Sequence, residues 1–515
     1  MASPPDRVAS LCALFAAELR LDSVPPDADF FLAGGHSLSA LALAMSVERA
    51  LGVPVGVRDL VECPTPALLA GRLAARSAPT RQRRVSRAEL GNETRSLWLA
   101  RQRGEIPATA YSVPCLLDVL GASDVDRLGA AVLAVQLRHP RLRTVFVERS
   151  GAPHAVTRPD PPPLTVVDEV PDPAAAVRAE IDRPFDLARG PLFRATLFRH
   201  GERMSLLLLA DHLVCDGTSL RVLASELAAA YRAPGAAAGV LAPAEHARDE
   251  GELADALRYW RRVLSPPPEP LALPVSRPRR GPVGARTGIV TEEIQRPTVE
   301  RLRALARARR AGLFVPAATA VAGALARLTG ARDICLGTAV DRRARLGLTD
   351  AVGFHVVTVP LRIAVDPDTG WHRLLAEVAS ATVDAVDHSA ASFDEIVAAV
   401  EPPRRPWRTP LFDVFATVYP HIDTGEAGDG IRLRGGPVPL RQGIVELSFQ
   451  FVEHAHGLRL VLQHDTARYD RDTAERIARR VVDAADRIAD SDPESEPAAA
   501  SLPGPAVFDG FRFGT

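Results

Sequence analysis

Two short stretches of this 515-residue chain bring together residue types that could do chemistry. In "DHLVCDG", Asp211 to Gly217, a histidine and a carboxylate stand four positions apart and a glycine follows. A neutral imidazole, with an ordinary pKa of about 6.5, can accept a hydrogen bond or a proton, help typically worth about 10² to 10⁴ in rate. Gly217 lets the backbone come close to a reacting centre and can offer an N–H group. In "AGGHSL", Ala33 to Leu38, Ser37 follows a glycine pair suited to a tight turn. Its hydroxyl can cap free N–H groups at a helix start. Each pattern alone is short enough to be structural: a hydrogen-bonded histidine at a strand end, or an N-cap serine.

The elements that must position these residues are legible. The apolar run "MSLLLLA" reads as a buried strand ending at Asp211, and Leu220, Leu223, Leu227 and Tyr231 follow at helical spacing. His212 therefore sits at a strand-to-helix corner. Around Ser37, "DRVASLCALFAAEL", "SLSALALAMSVERAL" and "TPALLAGRLAAR" read as helices, giving a small bundle of three or four. The Ser, Pro and Arg of "SAPTRQRRVSRAEL" mark a linker. From about residue 88 the pattern becomes α/β. Strands are predicted at "VPCLLDVL", "LRTVFVE", "FRATLFRH", "DICLGTAV" and "FHVVTVPLRI", and helices at "VDRLGAAVLAVQLRH", "TVERLRALARARR", "PAATAVAGALARL" and "TAERIARRVVDAADRIA". Pro-rich "LSPPPEPLALPVSRPRRGP", Leu264 to Pro282, separates two halves that could share an architecture.

The chain is long enough for roughly three packed units of about 150 residues. Its 62 Lys and Arg nearly balance 63 Asp and Glu, which gives no global pull toward nucleic acid or an anionic membrane. Five scattered cysteines with no CxxC pair argue against a disulfide scaffold or a zinc site. No signal pattern and no span-length apolar stretch is present, so a cytoplasmic, soluble protein is expected.

The Phe30–Phe31 pair ahead of Gly-Gly-His-Ser-Leu, in a bundle closing on "PTPALLAGRL", resembles the peptidyl carrier (thiolation) domain of non-ribosomal peptide synthetases. The resemblance implies 4′-phosphopantetheine attached covalently to Ser37. Leu32 and Ala33 depart from the polar residue and leucine more usual there. Further on, "RHPRLRTVF", "PFDLARGPLFRA", "LALPVSRPRRGP", "VGFHVVTVPLR" and "RPWRTPLFDVFATVY" occur with the HxxxDG motif in the order seen in condensation domains, of the chloramphenicol-acetyltransferase-like acyltransferases. That resemblance implies a multidomain chain: an all-α four-helix carrier bundle, then an α/β, two-lobed, V-shaped pseudodimer with a tunnel at the lobe junction. The expected boundaries are carrier 1–76, linker 77–87, first lobe 88–265, second lobe 266–492 and flexible tail 493–515. His212 is implied as the residue that orients or deprotonates an acceptor amine attacking a carrier-bound acyl thioester. Asp216 is implied as a structural partner of an arginine from the other lobe, Arg343 ahead of Arg342. The implied partners are the acceptor carrier of the downstream module, adenylation domains of the assembly line and a phosphopantetheinyl transferase, with no nucleic acid, membrane or metal.

Departures from the family pattern define the open questions. Asp211 stands where most condensation domains have histidine. In extended backbone its side chain leaves the face opposite His212 and is structural; within about 4 to 6 Å it raises the imidazole pKa and favours the poorer base. Val357 replaces a usual asparagine, and the usual glutamine is missing from "SRAELGNETRSLWLA". These motivate alternatives: ester formation, a free acceptor, dehydration of a donor Ser or Thr, or a docking domain without turnover. Thr218 and Ser219 are expected to cap the following helix, Cys215 to pack inward, the His454–His456 pair to lie in a surface loop, and the basic linker to be solvated.

Overall fold

The computed structural model describes residues 4–491 apart from 20, 36, 54, 75–84, 89, 122–123, 234–240, 242–245, 279–280, 282–283, 285, 349, 367–369, 407 and 426–429. The tail at 493–515 and most of the linker lie outside the described residues.

Four helices, Pro4–Leu19, Ser37–Leu51, Val57–Glu62 and Pro66–Ala74, make the amino-terminal bundle. Phe30 and Phe31 are buried beneath it, with Phe15 edge-on to Phe30 at 5.5 Å and Phe30 to Phe31 at 5.3 Å. Such edge-to-face pairs hold the chain that enters the second helix.

The first lobe is a six-stranded sheet in the order Ile422–Asp423, Arg432–Pro437, Ser112–Leu120, Arg203–Asp211, Phe193–His200, Thr165–Val167. Strand Arg203–Asp211 is central, and six consecutive residues from Leu206 to Asp211 are buried. Both its faces are covered, which is why its sequence reads as a continuous apolar run. Helices Val125–Arg138 and Gly217–Arg232 pack on each other, their apolar stripes at helical spacing turned inward. Residues 422–437 lie within the second lobe's stretch of sequence, yet they add two strands to the first lobe's sheet.

The second lobe is a six-stranded sheet in the order Val356–Ala364, Asp333–Asp341, Val414–Tyr419, Leu447–His454, Gly457–Asp465, Thr287–Gln295. Helix Phe314–Thr329, buried from Val315 to Ala326, is sandwiched against helices Trp371–Asp387 and Arg471–Asp490. Its small side chains permit that contact; a Cβ at Gly323 would fall 2.4 Å from the Trp371 ring.

The bundle rests on this second lobe. The backbone N–H groups of Val57 and Arg58 donate to Asp387 at 2.8 and 3.3 Å, and Arg58 pairs with Asp384 at 2.8 Å. Arg310, at a left-handed φ of 56°, donates to the Val61 carbonyl and to Asp29. Apolar cores of bundle and second lobe are continuous. No helix among the described residues is long and apolar enough to cross a membrane.

Candidate active site

The turn Asp211–Asp216 joins the first lobe's central strand to helix Gly217–Arg232. Asp216 caps that helix, its Oδ1 accepting the Ser219 N–H at 2.9 Å, while Ser219 Oγ reciprocates. The cap is therefore Asp216, and Ser219 is the third residue of a capping box rather than the cap itself. Arg343 of the second lobe donates Nη2 to Asp216 Oδ1 at 2.8 Å and Nη1 to Oδ2 at 2.9 Å. Asp216 is fully buried and Arg343 is 3% exposed. A third donor reaches Asp216 from that lobe, the His355 N–H at 3.0 Å. Burial alone pushes the Asp216 carboxyl up, but Arg343 and these N–H donors outweigh it and hold it below the ordinary range. Arg342 goes elsewhere, its Nη2 lying 2.8 Å from Glu93 Oε1.

Asp211 ends its strand fully buried. Its Oδ2 accepts Arg101 Nη1 at 2.8 Å, and its Oδ1 accepts the Leu213 N–H at 3.0 Å. Its carbonyl accepts the Val214 N–H. Both carboxylate oxygens are thus engaged in holding the turn, and Asp211 takes part in an ion pair on its own lobe.

Between these two anchors His212 leaves the strand. Its N–H donates to the Tyr111 carbonyl at 2.9 Å. Its ring is half-buried, with the Tyr111 ring 5.8 Å away and the Phe354 ring of the second lobe at 4.7 Å. Burial lowers the imidazole pKa, and the carboxylates of Asp216 and, less strongly, Asp211 oppose that only in part. The ring is neutral at pH 7 and can act as an acceptor. Gly217 is exposed, and a Cβ there would meet only the Tyr419 ring, at 3.5 Å, so the missing side chain leaves space beside the histidine turn.

The turn so built gathers Asp211, His212, Asp216, Gly217 and Arg343 into one region spanning both lobes. Val357 points into the second lobe's core at 1% exposure, opposite Val340, and does not face the histidine. Cys215 is fully buried, which raises its thiol pKa and leaves it unreactive. His454 bonds Glu293 at 2.8 Å, and among the described residues no His, Cys, Asp or Glu cluster could hold a metal ion. Two surface grooves, of 400 and 470 Å³, lie along Pro162–Arg194 and along the Arg476–Asp483 helix face, and neither includes His212. Sequence reasoning missed Arg101, Glu93, Tyr111, Phe354 and Tyr419; Glu93, Phe354 and Tyr419 fell in stretches already singled out.

Ser37 opens the fifteen-residue helix Ser37–Leu51 directly after an exposed turn, Leu32–Gly34. Gly34 has φ of 109°, and a Cβ on Gly35 would fall 2.3 Å from the Phe30 ring, so both glycines are required by the turn. A helix start fits a group attached through a phosphodiester. Its attachment at this serine is an assignment from the motif.

Comparison with known proteins agrees in domain order. Residues 97–504 match the condensation domain model, and residues 9–73 match the model of a phosphopantetheine attachment site. CymA of Salinispora arenicola (strain CNS-205), named a probable nonribosomal peptide synthetase, is 31% identical over 92% of this chain. A dimodular nonribosomal peptide synthase of Bacillus subtilis (strain 168) is 30% identical over 94% of it. The chain spans only 6% and 22% of the length of these two proteins. Among solved structures, the X-domain in complex with OxyB from teicoplanin biosynthesis is 25% identical, with a TM-score of 0.64 over 82% of this chain and 96% of that one. The first condensation domain of the calcium-dependent antibiotic synthetase shares the fold, with a TM-score of 0.65 at 22% identity over 80% of this chain and 99% of that one.

Proposed function

Because this chain belongs to the condensation-domain family of non-ribosomal peptide synthetases and carries a phosphopantetheine attachment domain ahead of it, we propose that it forms an amide bond. The donor is an acyl or peptidyl thioester on its own carrier domain, and the nucleophile is the amine of an acceptor on a downstream carrier. The observation that carries this reading is the half-buried, neutral His212 held between the lobes by Asp211 on one side and Asp216 on the other.

In this account Ser37 holds the phosphopantetheine arm, which when bound supplies the thiol that carries the acyl group. His212 accepts a hydrogen bond or proton from the amine as its nitrogen attacks the donor carbonyl, and the thiol leaves. Asp216 takes no proton; its charge is spent on Arg343, and it fixes the imidazole by bracing the turn. Tyr111 and Phe354 limit water around the ring, and positioning of the two reactants supplies much of the acceleration. The contacts of Asp387, Asp384 and Arg310 with the carrier support a donor delivered from the second-lobe side. Adenylation domains of the same assembly line load both carriers, and a phosphopantetheinyl transferase primes Ser37.

Asp211 does not favour a changed reaction, since both its oxygens are committed to Arg101 and Leu213. The X-domain is solved in complex with OxyB, and that likeness supports a second reading, a docking domain. Intact-protein mass spectrometry of the primed and loaded chain, with and without an amine acceptor carrier, separates these. Acceptor-dependent transfer supports condensation, loss of water without acceptor points to dehydration, and a stable loaded carrier with every acceptor tried points to docking.

A further inference from the structure

The two carboxylates that flank His212 are each bound by an arginine, and the two arginines come from different lobes. Arg101 belongs to helix Asn92–Gln102, and Arg343 belongs to the second lobe. The other end of that helix reaches across the junction. Glu93 Oε1 lies 2.8 Å from Nη2 of Arg342, the neighbour of Arg343, with side-chain exposures of 12% and 10%. Asn92 donates to Glu395 at 2.9 Å, and Glu395 is itself fixed in the Ser392 capping box. Arg342 N–H donates to the His355 carbonyl at 3.0 Å, and the His355 N–H donates to Asp216.

The contacts close a ring: Asp211, Arg101, the helix, Glu93, Arg342, Arg343, Asp216 and back through the turn. The eight helical steps from Glu93 to Arg101 span about 12 Å. Thr94, Leu97 and Trp98 bury the helix's inner face in the first lobe, so it is seated rather than free to slide. Buried ion pairs contribute little net stability compared with apolar residues of equal volume, so two of them on one turn, with a third at the far end of the helix, are better explained by the geometry they fix.

We propose that helix Asn92–Gln102 is a strut that couples lobe apposition to the orientation of His212, with Glu93 and Arg101 as its positioning residues. If the lobes move apart, Glu93–Arg342 and Asp216–Arg343 must open together. The turn then keeps Arg101 on Asp211 as its one remaining ionic brace, and the aim of His212 loosens. The histidine is held in its working pose only while the second lobe is seated.

The test needs no turnover and so stands apart from the proposed reaction. In the full chain, His212 is labelled with diethyl pyrocarbonate, which acylates neutral imidazole, and the peptide is quantified by mass spectrometry across pH. Glu93→Gln and Arg101→Gln are each expected to raise the labelling rate by about threefold or more, and the reversed pair Glu93→Arg with Arg342→Glu to return it to within about twofold of the parent. Arg101→Gln also moves the labelling midpoint upward, because Asp211 then faces His212 without its counter-ion, while Asp216 keeps Arg343. A residue that only stabilises the fold would lower the melting temperature and leave the rate and midpoint below it unchanged. Unchanged labelling in Glu93→Gln, or a reversed pair that labels as fast as Glu93→Gln, overturns the proposal. Should a single variant fail to fold, the reversed pair decides alone: the parental rate supports the strut and a raised rate overturns it.

Discussion

Asp216 and Arg343 meet across the lobe junction through two parallel hydrogen bonds of 2.8 and 2.9 Å, with almost no water access to either. Removing the guanidinium with Arg343→Ala leaves a buried carboxylate without its cation, which costs about 3 to 5 kcal/mol. Arg343→Met combined with Asp216→Asn removes both charges and is expected to cost clearly less than the single change. Urea denaturation of the three proteins checks the order. Because the Asp216 pKa is held below that of the unfolded chain, its contribution is present above about pH 4 and is lost as pH falls through the depressed value.

His212 acts on stability in the same sense, at higher pH. Burial lowers its pKa, so the unfolded chain takes up this proton more readily, and the imidazole lowers stability only as pH falls below about 6.5. The acid limb of the single-turnover rate is expected below pH 6.5, and Asp211→Asn, which removes a carboxylate that raises this pKa, shifts it lower still. An acid limb above pH 7 in the parent contradicts this assignment.

The carrier contact is directional. Asp387→Lys places a cation against the Val57 and Arg58 N–H groups and against the Arg58 side chain, and is expected to slow transfer from the carrier by about tenfold or more. Transfer from a small diffusible acyl thioester should be unchanged, since His212 and its braces are untouched. Equal slowing with both donors would place Asp387 in the fold rather than in docking.

Val357→Asn restores the residue more usual in relatives. At 1% exposure opposite Val340 in the second lobe's sheet, the amide is shut off from water, so the change costs about 1 to 3 kcal/mol without a gain in rate. Thermal unfolding and single-turnover kinetics measured together check both halves.

Much of the scaffold was legible because its signals are local. The run before Asp211 reads as a buried strand, and Leu220, Leu223 and Leu227 read as one face of a helix. Residues 422–437 gave no such signal: five glycines and few apolar positions leave no clear alternation, and these strands exist because the first lobe's sheet offers them an edge at Ser112–Leu120. The same divide holds in the site. The partnership of Asp216 with Arg343 came from family likeness, whereas Arg101, 110 positions before Asp211, is one of two arginines in "ARQR" with nothing local to mark it. The direction of the Asp211 side chain is set by that distant arginine and could not be read from the motif alone.

The most direct test of the account is His212→Ala in the full chain, primed at Ser37, loaded with a donor and mixed with a loaded acceptor carrier, with the acceptor-bound product quantified by mass spectrometry. The account predicts an unchanged melting temperature and a product rate reduced by about 10² or more. Product formed at the parental rate by the folded variant would contradict it.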